Sequence, residues 1–225
     1  MVVNGVLEYA MSFTEGKTPY ETFLQRMGAY LKPEGRLLIA IENRLGLKYF
    51  AGAPEDHTDL HFFGINGYPG NQSVRTFSKN ELGELLENSG FPFLRFYYPY
   101  PDYKFPTEIF TDESLYTNPT EEAILYTQTK QQIFCRSEGV KAFEKEKILD
   151  SFVNSFLVEA GRAENRNPEE ILYVKLNQER KEKFRLLTES SGRMERSVRK
   201  KRLWRPRLRN LWKNWKKPEQ RVPDP

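Results

Sequence analysis

Five residues, Leu37-Leu-Ile-Ala-Ile41, constrain the fold more than any others in the chain. They form an aliphatic run with no polar position in alternation, so the strand they make has both faces covered. That is the situation of a strand in a parallel sheet between layers of helix, not of a sheet with one wet face. The residues before it agree. Tyr20, Phe23, Leu24, Met27 and Leu31 recur at helical spacing and give one apolar face, and Pro19 suits the first turn of that helix. Lys32-Pro33-Glu34-Gly35 stops it, since proline cannot continue a helix and glycine permits the turn. Helix, Pro-Gly turn and buried strand make half of a βαβ unit, which places the chain in the α/β class.

The rest of the chain extends this pattern. Met1 to Leu7 reads as the end of a buried strand with nothing upstream to pair with, and Ser12 to Pro19 as a polar turn. From Glu42 to Arg75, glycines and prolines alternate with aromatics (Tyr49, Phe50, Phe62, Phe63, Tyr68). A loop that long inside a compact domain is more often a lid or binding segment than a connector. Ser78 with Glu81 three residues on is a capping box, opening a helix that runs to about Asn88 and ends at Ser89-Gly90. Phe93 to Tyr98 reads as a strand stopped by Pro99-Tyr-Pro101. Beyond it come a β-like patch at Ala123–Thr127, a helical patch at Val140–Leu149, and two segments, Phe152–Glu159 and Ile171–Leu176, that look like paired strands joined by a polar loop. No internal repeat is present.

Charge divides the chain in two. Residues 192–225 hold 13 Lys/Arg against 3 Asp/Glu, a surplus of ten cations, which leaves −6 on residues 1–191 of a chain whose net charge is +4. All three tryptophans (Trp204, Trp212, Trp215) lie in that basic segment. Basic and aromatic residues together suit nucleic acid, through phosphate contacts and base stacking, or an anionic membrane surface. Four prolines argue against one long helix there, and a disordered tail is the expectation. No aliphatic run exceeds the five residues of Leu37–Ile41, so no transmembrane segment is expected. No secretory signal is visible, and the single Cys135 can make no internal disulfide, so a cytoplasmic setting is the expectation.

Three blocks in register carry a likeness to a known family. They are Asn4-Gly-Val-Leu-Glu-Tyr-Ala10; Phe23-Leu24 through Leu31-Lys-Pro-Glu-Gly-Arg-Leu-Leu-Ile39; and Arg75-Thr-Phe-Ser-Lys79 with Leu82, Leu85-Leu86 and Ser89-Gly-Phe91. In this order the chain resembles the second half of a class I S-adenosylmethionine-dependent methyltransferase, over residues 1–101. Ile41–Thr58 and Tyr97–Pro106 are also similar to bacterial methyltransferases of surface-polysaccharide loci. The resemblance implies an incomplete Rossmann-like sheet over residues 1–110, made of its last strands and helices. It further implies an extension or partial second module over 111–191, with the basic tail after it. A kinase-like start to that module, with Lys175 as a phosphate contact, competes with a plain hairpin packed on the first domain. The family's Gly-rich cofactor turn and acidic ribose ligand have no counterpart here. The expectation is therefore a fragment that binds the cofactor poorly, with Met1 as an internal start.

Each candidate site residue has a plain structural alternative. Glu8 and Tyr9 follow the first strand, at the sheet edge where open α/β folds bind ligands. The resemblance puts them beside the methionine end of S-adenosylmethionine, and a solvated turn acid beside a core aromatic is the alternative. Glu42, Asn43 and Arg44 end the next strand on the same edge. Arginine there could hold an acceptor carboxylate or phosphate, or could serve a local cap or salt bridge. His57 is the candidate base that removes the acceptor's proton, against a histidine that only hydrogen-bonds. The His57, Asp59, His61 spacing lacks the His-Glu-x-x-His order, so no metal is assigned. Tyr98, Tyr100 and Asp102, in a cluster with Tyr97, Tyr103 and Lys104, suit a sugar acceptor or an ordinary packed turn. The implied reaction is methyl transfer to a glycan-related or small-molecule acceptor. The rival is a non-catalytic module that binds through its tail.

Overall fold

The computed structural model describes residues 1–70, 73–116, 133–164, 171–176, 186–191 and 198–203. It is a mixed α/β architecture. Its strands are β1 (Val2–Asn4), β2 (Arg36–Glu42), β3 (Phe93–Tyr100), β4 (Glu108–Thr111), β5 (Ser155–Gly161), β6 (Ile171–Leu176), β7 (Leu186–Ser191) and β8 (Val198–Leu203). Helices α1 (Ala10–Phe13), α2 (Pro19–Ala29), α3 (Leu47–Phe50), α4 (Lys79–Asn88), α5 (Arg136–Lys145) and α6 (Leu149–Phe152) connect them. The strands form one mixed sheet in the order β1-β2-β5-β3-β4-β6-β7-β8.

Leu37, Ile39 and Ile41 of β2 are fully buried and Ala40 nearly so. β1 runs parallel to β2, with Val3 opposite Ile39, and α2 is the crossover between them. β5 is antiparallel to both β2 and β3, which makes β3 parallel to β2, with α4 on that second crossover. Phe156 and Val158, at the middle of β5, are fully buried, and Phe156 meets Phe96 edge to face at 5.6 Å. Two helices are built as their sequences predict: α2 starts on Pro19 and buries Tyr20, Phe23 and Leu24. In α4 both hydrogen bonds of the Ser78–Glu81 capping box are present.

Several expectations are corrected. β1 is an edge strand with Val2 exposed, not a strand buried on both faces. β3 continues through Pro99 to Tyr100; the β5 ladder ends opposite Tyr97, so the proline falls where strands tolerate a missing N–H. The helical patch at 140–149 is two helices broken at Glu146–Ile148, and Phe152 belongs to α6. The two late strands do not pair with each other: β5 enters the centre of the sheet, while β6 pairs with β4 and β7. Lys175 lies 3.2 Å from Glu108, in a cross-strand ion pair. Val198–Leu203 of the basic segment is not irregular but forms β8, paired with β7. The patch at 123–127 and residues 204–225, with their tryptophans, lie outside the described residues. No helix of the described residues is long and apolar enough to cross a membrane.

Candidate functional site

Both parallel strands deliver a carboxylate to the same edge of the sheet. After β1 the chain turns at Gly5, whose φ of +62° suits glycine, and whose N–H donates to the Ala40 carbonyl at 3.0 Å. A Cβ on Gly5 would stand 3.0 Å from the Tyr103 hydroxyl, so the turn and that ring approach closely. The 3-10 turn Leu7–Tyr9 then points Glu8 inward, 1% exposed, and leaves Tyr9 41% exposed. Glu42, the last residue of β2, is wholly buried.

The segment read as a lid is folded down on this edge. It carries α3, and Lys48, Tyr49, Ala51, Ala53, Glu55 and Tyr68 within it are buried. Glu55 shapes its turn: one carboxylate oxygen accepts from the backbone N–H of His57 and of Thr58, each at 2.9 Å, and from the Thr58 hydroxyl at 3.0 Å. That turn presents the His57 ring between the two strand ends. Nδ1 lies 2.9 Å from the Tyr9 hydroxyl, and Nε2 lies 3.5 Å from Glu42 Oε2. From the end of β3, past the cis Tyr100–Pro101 bond, come Asp102, Tyr103 and Lys104. The Tyr103 hydroxyl donates to Glu42 Oε1 at 3.3 Å, and Lys104 Nζ reaches the same oxygen at 2.5 Å. Buried Lys48 completes the network, 2.6 Å from Asp56 and 3.4 Å from Asp102.

The electrostatics follow from burial and these neighbours. Burial pushes the Glu8 carboxyl up to about 7, and the Glu42 charge adds to the push against His57 and Lys104. Burial would also raise Glu42, but His57 and Lys104 outweigh it and hold that carboxyl at about 2. His57 is opposed by its own burial yet raised, by Glu42 first and by the charges of Glu55 and Glu8. Asp102 is raised by burial, against the pull of Lys48. Glu8 Oε2, Glu42 Oε2 and His57 Nε2 are buried and have no hydrogen-bond partner among the described residues.

Of the residues singled out in the sequence, Glu8, Tyr9, Glu42, His57 and Asp102 come together here. Others are engaged elsewhere. Asn43 donates to the Ser151 and Val153 carbonyls at 2.9 and 2.7 Å, tying the end of β2 to the α6–β5 connection. Arg44 binds Glu81 at 2.6 Å and the Gly64 carbonyl at 3.1 Å, which locks the loop to α4. Tyr98 is buried and donates to Asp112, and Tyr100 packs against the core. Asp59 and His61 do not join His57; the described group able to hold a metal is Glu8, Glu42 and His57. Lys48 and Asp56 carried no motif, and only the folded loop reveals them. Two concavities lie apart from Glu8, Glu42 and His57, the first of them reaching the network at Lys48. One is a small apolar cavity among Leu47, Tyr98, Phe110, Val140 and Phe152, and the other an open groove beside Arg36, Phe93 and Glu159.

What this edge offers chemically is a histidine between an exposed phenol and a buried carboxylate, flanked by a second carboxylate and an ammonium group. Compared with known proteins, the chain matches no family model, no curated protein and no solved structure.

Proposed function

We propose that this edge is the acceptor side of an S-adenosylmethionine-dependent methyl-transfer site, acting on a glycan-related or small-molecule acceptor. One observation carries the reading. Two parallel strands joined through α2 bring Glu8, Tyr9, Glu42 and His57 to their carboxyl ends, where open α/β sheets take their ligands. When bound, S-adenosylmethionine supplies an electrophilic methyl group. Glu8, with an unpartnered buried oxygen, and the exposed Tyr9 ring fit its ammonium-bearing methionine end. No strand, Gly-rich turn and helix in succession occurs among the described residues, so the adenosine end finds no matching contact here. The acceptor lies against Tyr9 and Asp102 and loses its proton through the Tyr9 hydroxyl to His57, whose far nitrogen faces Glu42. S-adenosylmethionine would supply the methyl carbon to the acceptor oxygen, with its sulfur as the leaving group.

Saturation-transfer NMR of the folded chain with S-adenosylhomocysteine tests the reading. The expected result is weak binding, with the largest transfer to the methionine protons, lost in Tyr9→Ala and reduced in Glu8→Gln. No transfer from the folded parent chain, or transfer that survives both substitutions, overturns it. A second reading, a non-catalytic module that binds nucleic acid or an anionic membrane, draws on β8, whose Arg199-Lys-Lys-Arg202 run forms the last strand of the sheet. A charged edge strand of this kind equally guards a sheet against unwanted pairing. Salt-dependent DNA binding that disappears on removal of residues 192–225 would favour that module.

A further inference from the structure

We propose that Glu8, Glu42 and His57 form a divalent-cation site at the carboxyl edge of β1 and β2. The proposal goes beyond methyl transfer and stands without it, because it rests on the positions of three atoms. Glu8 Oε2, Glu42 Oε2 and His57 Nε2 account for three of the six buried side-chain atoms without a hydrogen-bond partner among the described residues, the latter two facing each other at 3.5 Å. They come from three separate elements, and ligand atoms of these residues all lie within 4.8 Å of one another. Buried polar atoms are seldom left unpaired, and three residues that each carry one, with ligand atoms this close together, call for a shared partner. The two carboxylates are 1% and 0% exposed, so water does not serve them from outside.

Geometry and chemistry agree on the class of ligand. Nε2 of His57 and Oε2 of Glu42 are 3.5 Å apart, near the edge of about 3.4 Å that two ligands make around a tetrahedral zinc ion. An imidazole with two carboxylates suits a borderline cation such as Zn²⁺, Co²⁺ or Mn²⁺. Glu42 divides its oxygens: Oε1 takes Lys104 and Tyr103, and Oε2 is left facing His57. His57 is oriented through its other nitrogen, which meets the Tyr9 hydroxyl at 2.9 Å. A ligating histidine ordinarily donates from its second nitrogen in this way. Charge favours a cation as well: four carboxylates (Glu42, Glu55, Asp56, Asp102), with the buried Glu8 carboxyl whose proton a cation would displace, lie around two ammonium groups, Lys48 and Lys104. Tyr9 and Lys104, both substantially exposed, mark the side on which the cluster lies nearest to solvent.

Three protein ligands leave a fourth position for an acceptor oxygen, whose proton a bound cation makes easier to lose. In that state His57 Nδ1 donates to Tyr9 and no longer serves as the base; the cation would make the bound oxygen's proton more acidic, and that proton would leave to solvent water. A proton on Nε2 and a cation are therefore alternatives at one place.

The test uses the full chain, stripped with a chelator and titrated with Zn²⁺ and, separately, with Co²⁺, in the absence of S-adenosylmethionine or its product. Expected are one equivalent bound, a tetrahedral Co²⁺ absorption band, and proton release on binding. The chain has two histidines, so their ring signals are separable by NMR. Zn²⁺ should shift the ring signals of His57 and leave those of His61 in place. Glu8→Gln and Glu42→Gln should each weaken binding well over tenfold, and Tyr9→Phe by about tenfold, whereas His61→Gln changes nothing. No stoichiometric binding, or saturation that shifts only His61, overturns the proposal; so does a His57 ring that keeps both protons at saturating Zn²⁺. Because the ring signals are read on the unsubstituted chain, a variant that fails to fold does not blunt the result. Cation binding without binding of S-adenosylhomocysteine, and the reverse, separate this inference from methyl transfer.

Discussion

Glu8 is a carboxylate in a place that resists its charge. Its environment raises it from 4.5 to about 7, chiefly by burial and then by the nearby Glu42, with His57 and Lys104 pulling the other way. The folded chain thus keeps a proton that the unfolded chain gives up, and stability falls as pH rises from about 4.5 to about 7. Glutamine has the same shape and no proton to lose. Glu8→Gln should therefore raise the Tm of the metal-free chain above pH 7, by an amount that shrinks toward pH 4.5. Scanning calorimetry over a pH series reads this directly. A variant that melts lower than its parent above pH 7 would show that Glu8 is ionised and well paired in the fold.

Glu81 does the opposite at the level of elements. One oxygen accepts from the Ser78 N–H at 2.8 Å and from Arg44 at 2.6 Å, and the other accepts from Arg75 at 2.9 Å. A single carboxylate thereby caps α4 and clamps both ends of the 44–75 segment that carries His57. Burial would raise it, yet Arg44 and the Ser78 contacts hold it below 4.5. Its contribution is present above 4.5 and is lost as pH falls through that depressed value. Glu81→Gln should cost about 1 kcal/mol at neutral pH, the worth of a cap. In urea titrations the gap between parent and variant should close as the solution is acidified below pH 4.5; a gap that stays constant with pH would remove the charge from the account. The cap itself was legible in the sequence, because Ser78 and Glu81 lie one turn apart. The clamp was not, since Arg44 lies 37 residues from its partner and reads only as a strand-end cation. The same limit applies at the candidate site. Glu8, Tyr9, Glu42 and His57 stand out by following strands or by type. Lys48, Asp56 and Lys104 are ordinary surface residues until the loop folds over them.

Across the whole molecule the sheet has a strong middle and a lighter side. β5 is paired along both edges, with β2 over Arg36–Glu42 and with β3 over Phe93–Tyr97, and its side chains fill the core. β6 pairs with β4 over Glu108–Phe110, with flanking hydrogen bonds at Thr107 and Thr111, and β7 and β8 continue outward from it. Protection against exchange follows the number of neighbours and the apolar area each strand buries. Hydrogen-exchange mass spectrometry should find the amides of β6–β8 exchanging well before those of β2, β3 and β5. Equal protection across all of them would mean that the outer strands belong to the same cooperative unit as the centre. The sequence showed β2, α2, α4 and most of β3, because each is written in neighbouring residues. It showed a strand at 152–159, three residues early at its start, but not where it goes, since that depends on a gap opened by segments more than fifty residues away.

The late arrival of that strand has a consequence for how the protein is made. Residues 36–42 and 93–100 leave the ribosome long before 155–161, so for much of translation the nascent chain holds two strands waiting for the one that belongs between them. Unpaired edges of this kind recruit other chains. A synthesis stalled short of Ser155 would release a sticky intermediate, and in crowded overexpression the yield should depend on chaperone supply more than on the stability of the finished fold.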